Sequence, residues 1–277
     1  MQSQERPAST APQPAPRAIP VDISARIDAW WGLFLAVILI ILALVIFQPD
    51  PYRDILVFVA DGIIITLWVT IASFILTLIV GMFGGLGRLS KNKLIFGISS
   101  LYVELVRGIP LLVQLIWWYF AFPVVLQSIG SSLGLTALET FKADPVAMSI
   151  LGLTFCYGAY MSEIYRAGIQ SIPRGQMEAA MSLGMNYFQS MRYVILPQAI
   201  RVILPPVSNE FIALLKDSSL VSAVAVVDLT RRGREYMSSN FIPIETWIMV
   251  ALLYLVLTLF SARVASYIEK KVKVAER

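Results

Sequence analysis

The 277-residue chain contains no histidine and a single cysteine, Cys156. The first absence removes every mechanism that needs an imidazole as base, nucleophile or metal ligand. The second excludes an internal disulfide and any zinc site built from several thiolates. Charge is scarce as well: Asp, Glu, Lys and Arg make up 14% of the residues, where soluble globular chains carry about 25%. No G-x-x-x-x-G-K-[ST] segment occurs. The glycine-rich stretch at 81–90 lacks the Lys-Ser/Thr ending that would hold nucleotide phosphates and magnesium. The chain therefore carries no ATP chemistry of its own, and its scattered carboxylates form no catalytic constellation, so it does not read as an enzyme.

What is present is apolar: 57% of residues are hydrophobic, and the mean hydropathy is +0.73. One soluble core of this size cannot hide that much apolar surface, which makes the fold class all-α integral membrane. The excess of 22 Lys and Arg over 18 Asp and Glu then reports cytoplasmic loop charge, with no nucleic acid as partner. Residues 1–28 are Pro-, Ala-, Ser- and Gln-rich and bury too little to offset their ordering entropy, which predicts a disordered cytoplasmic tail. The apolar run that follows starts too late and is too long for a secretory signal.

Hydrophobic runs predict six transmembrane helices, at about 29–47, 55–87, 94–122, 145–168, 193–215 and 244–267. At 1.5 Å per residue each is long enough for a bilayer core of ~30 Å. Pro197, Pro205 and Pro206 interrupt the fifth. The apolar stretch at 218–227 is too short to cross and reads as re-entrant or interfacial. Six spans put both termini on one side. With the termini cytoplasmic, the external segments hold only Arg53, Lys142, Lys216, Arg231, Arg232 and Arg234 of the basic residues. All the others lie inside except Arg107 and Arg201, which fall within spans, and the positive-inside rule favours this orientation.

The segment between spans four and five, 171–192, is rich in helix signals. Pro173 and Gly175 punctuate it, strong helix formers run from Gln176 to Leu183, and Gly184 can close the helix. Glu178-Ala179-Ala180, three residues, Gly184, nine residues, then Val194-Ile195-Leu196-Pro197 resembles the EAA motif of ABC importer permeases, with Val194 in place of Ile. Tyr102-Val103-Glu104-Leu105-Val106-Arg107-Gly108-Ile109-Pro110-Leu111-Leu112-Val113-Gln114 resembles the polar amino-acid branch of that family, whose usual form has Thr at Ile109. Two further segments, 163–169 and 215–220, match the same branch.

The resemblance covers about 55–271. It implies a type I importer permease in which residues 29–54 form an extra N-terminal helix and loop, 55–271 the transmembrane domain, and 272–277 a cytoplasmic tail. It also implies a coupling helix, carried by Glu178, Ala179, Ala180 and Gly184, that docks on a cytoplasmic ATP-binding subunit dimer. The ATP and magnesium would sit on that partner, and this chain would bind no cofactor. A second permease chain, identical or homologous, an extracytoplasmic amino-acid-binding protein and a small-molecule amino acid complete the implied partners, in a prokaryotic cytoplasmic (inner) membrane.

Ionisable groups inside spans are functional candidates by default. Glu104 and Arg107, three apart on a helix, can form an intramembrane ion pair. Glu163, with Tyr160 and Ser162 near it, could line a solute path or pair with Arg166 one turn later. Asn209 and Glu210 follow Pro205-Pro206, where a broken helix would expose polar groups to that path. A stand-alone secondary transporter using Glu163 or Glu210 as an ion or proton carrier is the alternative. It predicts inverted internal repeats, and the sequence shows none by inspection.

Overall fold

The structure, a computed structural model, describes residues 23–274, with side chains described for 30–272. The expected tail therefore lies outside the described residues over 1–22, as do 275–277. Twelve α-helices follow one another among the described residues: α1 (Ile23–Phe47), α2 (Pro49–Arg88), α3 (Lys93–Gly108), α4 (Leu111–Ile116), α5 (Phe122–Leu133), α6 (Thr136–Glu139), α7 (Pro145–Gln170), α8 (Arg174–Ser182), α9 (Tyr187–Ser190), α10 (Leu196–Asp217), α11 (Leu229–Asn240) and α12 (Pro243–Val274). Five stretches are long and apolar enough to cross a membrane: Trp30–Phe47, Pro49–Arg88, Leu111–Leu133, Pro145–Gln170 and Pro243–Val272.

The third expected span is displaced. Residues 93–108 form a separate helix of ~24 Å, too short to cross, and the crossing stretch begins only at Leu111. Pro110 is the cause. It lacks an N–H and drives Ile109 out of the helical region, to φ −108° and ψ 130°. The fifth expected span also differs. It is helical from Leu196 to Asp217, but it is not among the five apolar stretches. Pro205 and Pro206 sit inside a continuous helix, so no break occurs there. The irregularity comes earlier, in a π-helical turn at Met191–Ile195 just before Pro197.

The long helices α2 and α7 form the densest pair and run parallel. Thr154 Oγ1 donates to the Ser73 carbonyl at 3.4 Å, Gly81 lies on Met161, and Gly85 lies on Ser162 and Tyr165. A Cβ on Gly84 would fall 2.1 Å from Ser162 Oγ. Interior glycines cost a helix ~0.5–1 kcal/mol each, and here they are used for close backbone approach, as small residues are in membrane packing. Around this pair, α10 runs antiparallel to α7, with Ile203 against Gly168 and Phe211 against Phe74 of α2.

The stretch at 218–227 contains a 3₁₀ helix, Ser218–Val224, whose Val221 and Val224 enter a core with Val69, Leu115, Leu153 and Leu214. At ~2 Å per residue this helix reaches ~14 Å, so it does not cross. It delivers the chain to α11, which packs on the first half of α2.

Candidate functional site

The break at Ile109–Pro110 opens a cavity with a large polar share that joins distant parts of the sequence. Its volume is about 450 Å³, near the lower end of small-molecule sites. Arg107 contributes from the α3 end, Tyr157 and Tyr160 from α7, and Glu210 and Asp217 from α10. Gln114, 7% exposed, holds the broken segment open by donating to the carbonyls of Val106 and Ile109, each at 2.8 Å. Val106 lies in the last turn of α3 and Ile109 is its extended C-cap, where the break leaves carbonyls short of the usual helical partners.

Within the cavity, Tyr157 Oη donates to Asp217 Oδ2 at 2.7 Å, and the Arg107 guanidinium lies 5.1 Å from the Tyr160 ring centroid. Glu210 and Asp217 are seven apart on α10, hence on one face. One cation thus faces two carboxylates across an aromatic wall. This is a charge pattern for a solute carrying both an anionic and a cationic group.

Of the expected pathway residues, Tyr160 and Glu210 line this cavity. Ser162 does not: fully buried, it donates to the Gly158 carbonyl at 2.7 Å and packs on Gly84. Asn209 is exposed and does not line the cavity. Glu104 and Arg107 form no ion pair, because Arg107 is turned onto Tyr160 and Glu104 is exposed. Tyr157 and Asp217 were not singled out from the sequence. The one-turn spacing of Tyr157 and Tyr160 was the available signal.

Glu163 sits elsewhere, where α2 ends against α7. It accepts from Arg88 Nη1 at 2.6 Å and from Arg166 Nε at 3.0 Å, with a second contact to Arg166 Nη2. Its side chain is 27% exposed. The pairing with Arg166 is the alternative left open above, and Arg88 adds a partner 75 positions away in the chain.

A second ion cluster lies ~40 Å from Arg88 along α2, at Asp61. Arg232 of α11 donates to Asp61 Oδ1 at 3.0 Å and to Glu235 at 3.1 Å, and Arg231 donates to Glu235 at 3.0 Å. The basic run at 231–234 is thus largely neutralised by acids. Beside it, Asp228 is fully buried and caps α11, accepting from the amides of Thr230 and Arg231 and from the Tyr254 hydroxyl. Burial pushes its carboxyl above the ordinary range, an effect these hydrogen bonds only partly offset.

The helix expected at 178–184 is α8. Gly184 has φ +85°, its amide donates to Met181 O, and the Met185 amide donates to Ala180 O at 3.2 Å. This is a Schellman closure, which requires the left-handed conformation at its glycine. A capping box follows at once, with Asn186 Oδ1 accepting from the Gln189 amide and Gln189 Oε1 from the Asn186 amide, both at 2.9 Å. Ala180 faces the bundle at 4% exposure, while Glu178 and Ala179 point outward. The surface presented is more apolar than the motif suggests: Leu183 is 82% and Phe188 70% exposed, with Met181 and Tyr187 beside them. Exposed apolar side chains grouped in this way mark a surface that meets either another protein or the membrane.

Over residues 77–274 the chain matches the family described as binding-protein-dependent transport system inner membrane component. It is 32% identical over 214 residues to the glutamine transport system permease protein of Escherichia coli, covering 77% of this chain and 92% of that one. It is 33% identical over 256 residues to the glutamate/aspartate import permease protein of the same organism, covering 89% and 96%. Among solved structures, that of an amino acid ABC transporter with histidines superposes with a TM-score of 0.68 at 35% identity, covering 83% of this chain and 97% of that one.

Proposed function

The chain belongs to the family of binding-protein-dependent transport system inner membrane components, and from that membership we propose how its cavity and its loop are used. It is a permease subunit of an ATP-driven importer and not an enzyme; ATP hydrolysis is done by separate partner subunits. Its working partners are of two general kinds, ATP-binding subunits and a substrate-binding protein.

The cargo is an amino acid, as the names of its relatives suggest, and it passes through the Arg107–Glu210–Asp217 cavity. Arg107 takes the α-carboxylate, and the two α10 carboxylates take the α-ammonium. The observation that carries this is the one-cation, two-carboxylate lining of a 450 Å³ space. A zwitterion leaves one carboxylate unmatched, which favours cargo with an additional donor or positive charge. The α8 surface docks on the ATP-binding subunit, α8 and both termini face the cytoplasm, and a second permease chain completes the pathway.

The test is uptake in proteoliposomes containing the partner subunits. Glu210→Gln and Arg107→Gln are each expected to raise the substrate concentration needed for half-maximal uptake by about tenfold or more, the worth of one charge-assisted contact. Unchanged half-saturation in both variants would remove the cavity from the path.

A further inference from the structure

Glu104 is a carboxylate held at mid-membrane depth. Helix α3 runs along the α2–α7 pair, with Ser99 against Gly87 and Tyr102 against Gly84 and Gly158. The Tyr102 hydroxyl donates to the Phe155 carbonyl at 2.7 Å, and the two rings meet at 5.1 Å. Phe155 and Gly158 bracket the midpoint of α7, a helix of 26 residues that is long enough to cross. Glu104 stands only ~3 Å further along α3 than Tyr102 and ~16 Å beyond Lys93, about half of a ~30 Å bilayer core.

The Glu104 side chain is exposed, and among the described residues it makes no hydrogen bond or ion pair. A bare carboxylate facing hydrocarbon is costly, and intramembrane acids face a bundle interior or a water-filled space. Its position on the helix says which space. Viewed down α3, Glu104 falls between Arg107, ~60° to one side, and Gly108, ~40° to the other, and precedes both by about one turn. Both of those residues line the cavity. Glu104 therefore continues the α3 wall of the cavity toward the end of the bundle that carries α8. That wall is unobstructed: nothing lies within 4 Å of where a Cβ would stand on Gly108, or on Gly97, seven residues before Glu104 on the same face. Leu105 points ~100° away and belongs to a separate apolar groove with Val113, Trp117 and Phe155.

We propose that Glu104 is a second station on the solute path, holding the ammonium group of an amino acid as it leaves the cavity through a water-filled cleft beside α3. The assignment rests on the cavity being the path. Inside the cavity the ammonium meets Glu210 and Asp217. Glu104 offers it an equivalent carboxylate on the way out, so the charge passes from acid to acid without entering hydrocarbon.

Cysteine variants in a Cys156→Ser background test this in proteoliposomes that contain the partner subunits. They are treated with a thiol reagent carrying a trimethylammonium group, the probe for an ammonium, and with one carrying a sulfonate. Both reagents are charged, and both need a thiolate, which forms only where water reaches the sulfur. Glu104→Cys is expected to react about tenfold faster or more than Leu105→Cys, whose thiol lies in the apolar groove. Gly97→Cys reports the charge. With Glu104 ~10 Å away, attraction of one reagent and repulsion of the other in water amount to about a fourfold ratio of rates. Glu104→Gln should lower the cation-to-anion ratio at Gly97→Cys by that factor, and Glu104→Asp should leave it unchanged, which separates lost charge from lost folding. Glu104→Cys no more reactive than Leu105→Cys would mean that lipid or a dry contact with the second permease chain covers this position. A ratio untouched by Glu104→Gln would assign the field to other groups. Either result overturns the proposal. Failure of the cavity as the path is read separately, in the half-saturation of uptake and not in these rates.

Discussion

Gly184 offers the sharpest separation between a backbone role and a contact role in the α8 loop. Nothing lies within 4 Å of where its Cβ would stand, so within this chain a side chain meets no obstacle. The cost comes from φ +85°. An L-residue held in the left-handed region loses about 1–2 kcal/mol, and alanine returns about 0.4–1 kcal/mol of this by restricting the unfolded loop. Gly184→Ala should therefore weaken the Schellman closure by about 1 kcal/mol, or about fivefold in local opening.

The assay is amide hydrogen exchange at Gly184 and Met185, whose N–H groups donate into the closure. Asparagine tolerates the left-handed region far better than alanine, so Gly184→Asn, although larger, should keep more protection and more ATP-driven uptake than Gly184→Ala. The opposite order, with uptake falling steadily with side-chain size while exchange stays unchanged, would refute the backbone argument and leave a tight contact with the partner subunit as the reason for glycine.

Three further outcomes follow from the geometry. Glu163→Gln leaves Arg88 and Arg166 facing each other at partial burial, between the ~0–1 kcal/mol of an exposed pair and the ~3–5 kcal/mol of a buried one. A loss of about 1–3 kcal/mol is expected in thermal unfolding, and Arg166→Gln should restore only part of it until Arg88→Gln is added, a three-way cycle that reads the coupling directly. Asp228 has a folded pKa raised by burial, so its contribution to stability is present at low pH and is lost as pH rises through that value. Asp228→Asn keeps the cap oxygen and should flatten this dependence of the melting temperature on pH, whereas Asp228→Ala should cost about 1–2 kcal/mol at every pH. For orientation, Gln189→Cys in a Cys156→Ser background should react with an impermeant thiol reagent only after the cytoplasmic face is opened, while Ser131→Cys should react in intact cells. Labelling at 189 from outside would reverse the proposed topology.

Legibility in the sequence followed the range of the interactions. The membrane class and the α8 helix with its closing glycine were readable because composition and one-turn spacings are local. The displaced third crossing was readable in principle, since Ile109–Pro110 is a helix-ending dipeptide, but a hydropathy window averages over one proline. The proline pair at 205–206 misled in the opposite direction. Helix α10 keeps its path through both residues, as membrane helices can when neighbours satisfy the freed carbonyls. Arg88 against Glu163, and Asp61 against Arg232, are contacts between residues far apart in the chain, and nothing in either local pattern names its partner. The packing role of the glycines at 81, 84 and 85 shows only once Met161, Ser162 and Tyr165 are placed against them.

The continuity of α7 joins the separate sites. Tyr157 and Tyr160 line the cavity, Glu163, held by Arg166, ties the same helix to Arg88 at the end of α2 one turn later, and Gln170 ends it ~15 Å beyond Tyr160. Only 171–173 separate that end from α8. The far side of α8 is equally short of slack, because the capping box, the π-helical turn and α10 follow without a flexible stretch, and Gln198 of α10 reaches Gln176 of α8 at 3.4 Å. A displacement of α8 must therefore be shared by α7 and α10, the two helices that supply the tyrosines and the carboxylates on the walls of the cavity. Packed helices answer such a displacement by moving as bodies and not by bending. A stand-alone carrier has no use for a stiff loop that exposes Leu183 and Phe188. On the proposed coupling, an ATP-binding partner moving that loop would change the distance between Tyr157 and Asp217, and with it the hydrogen bond that closes one wall of the path.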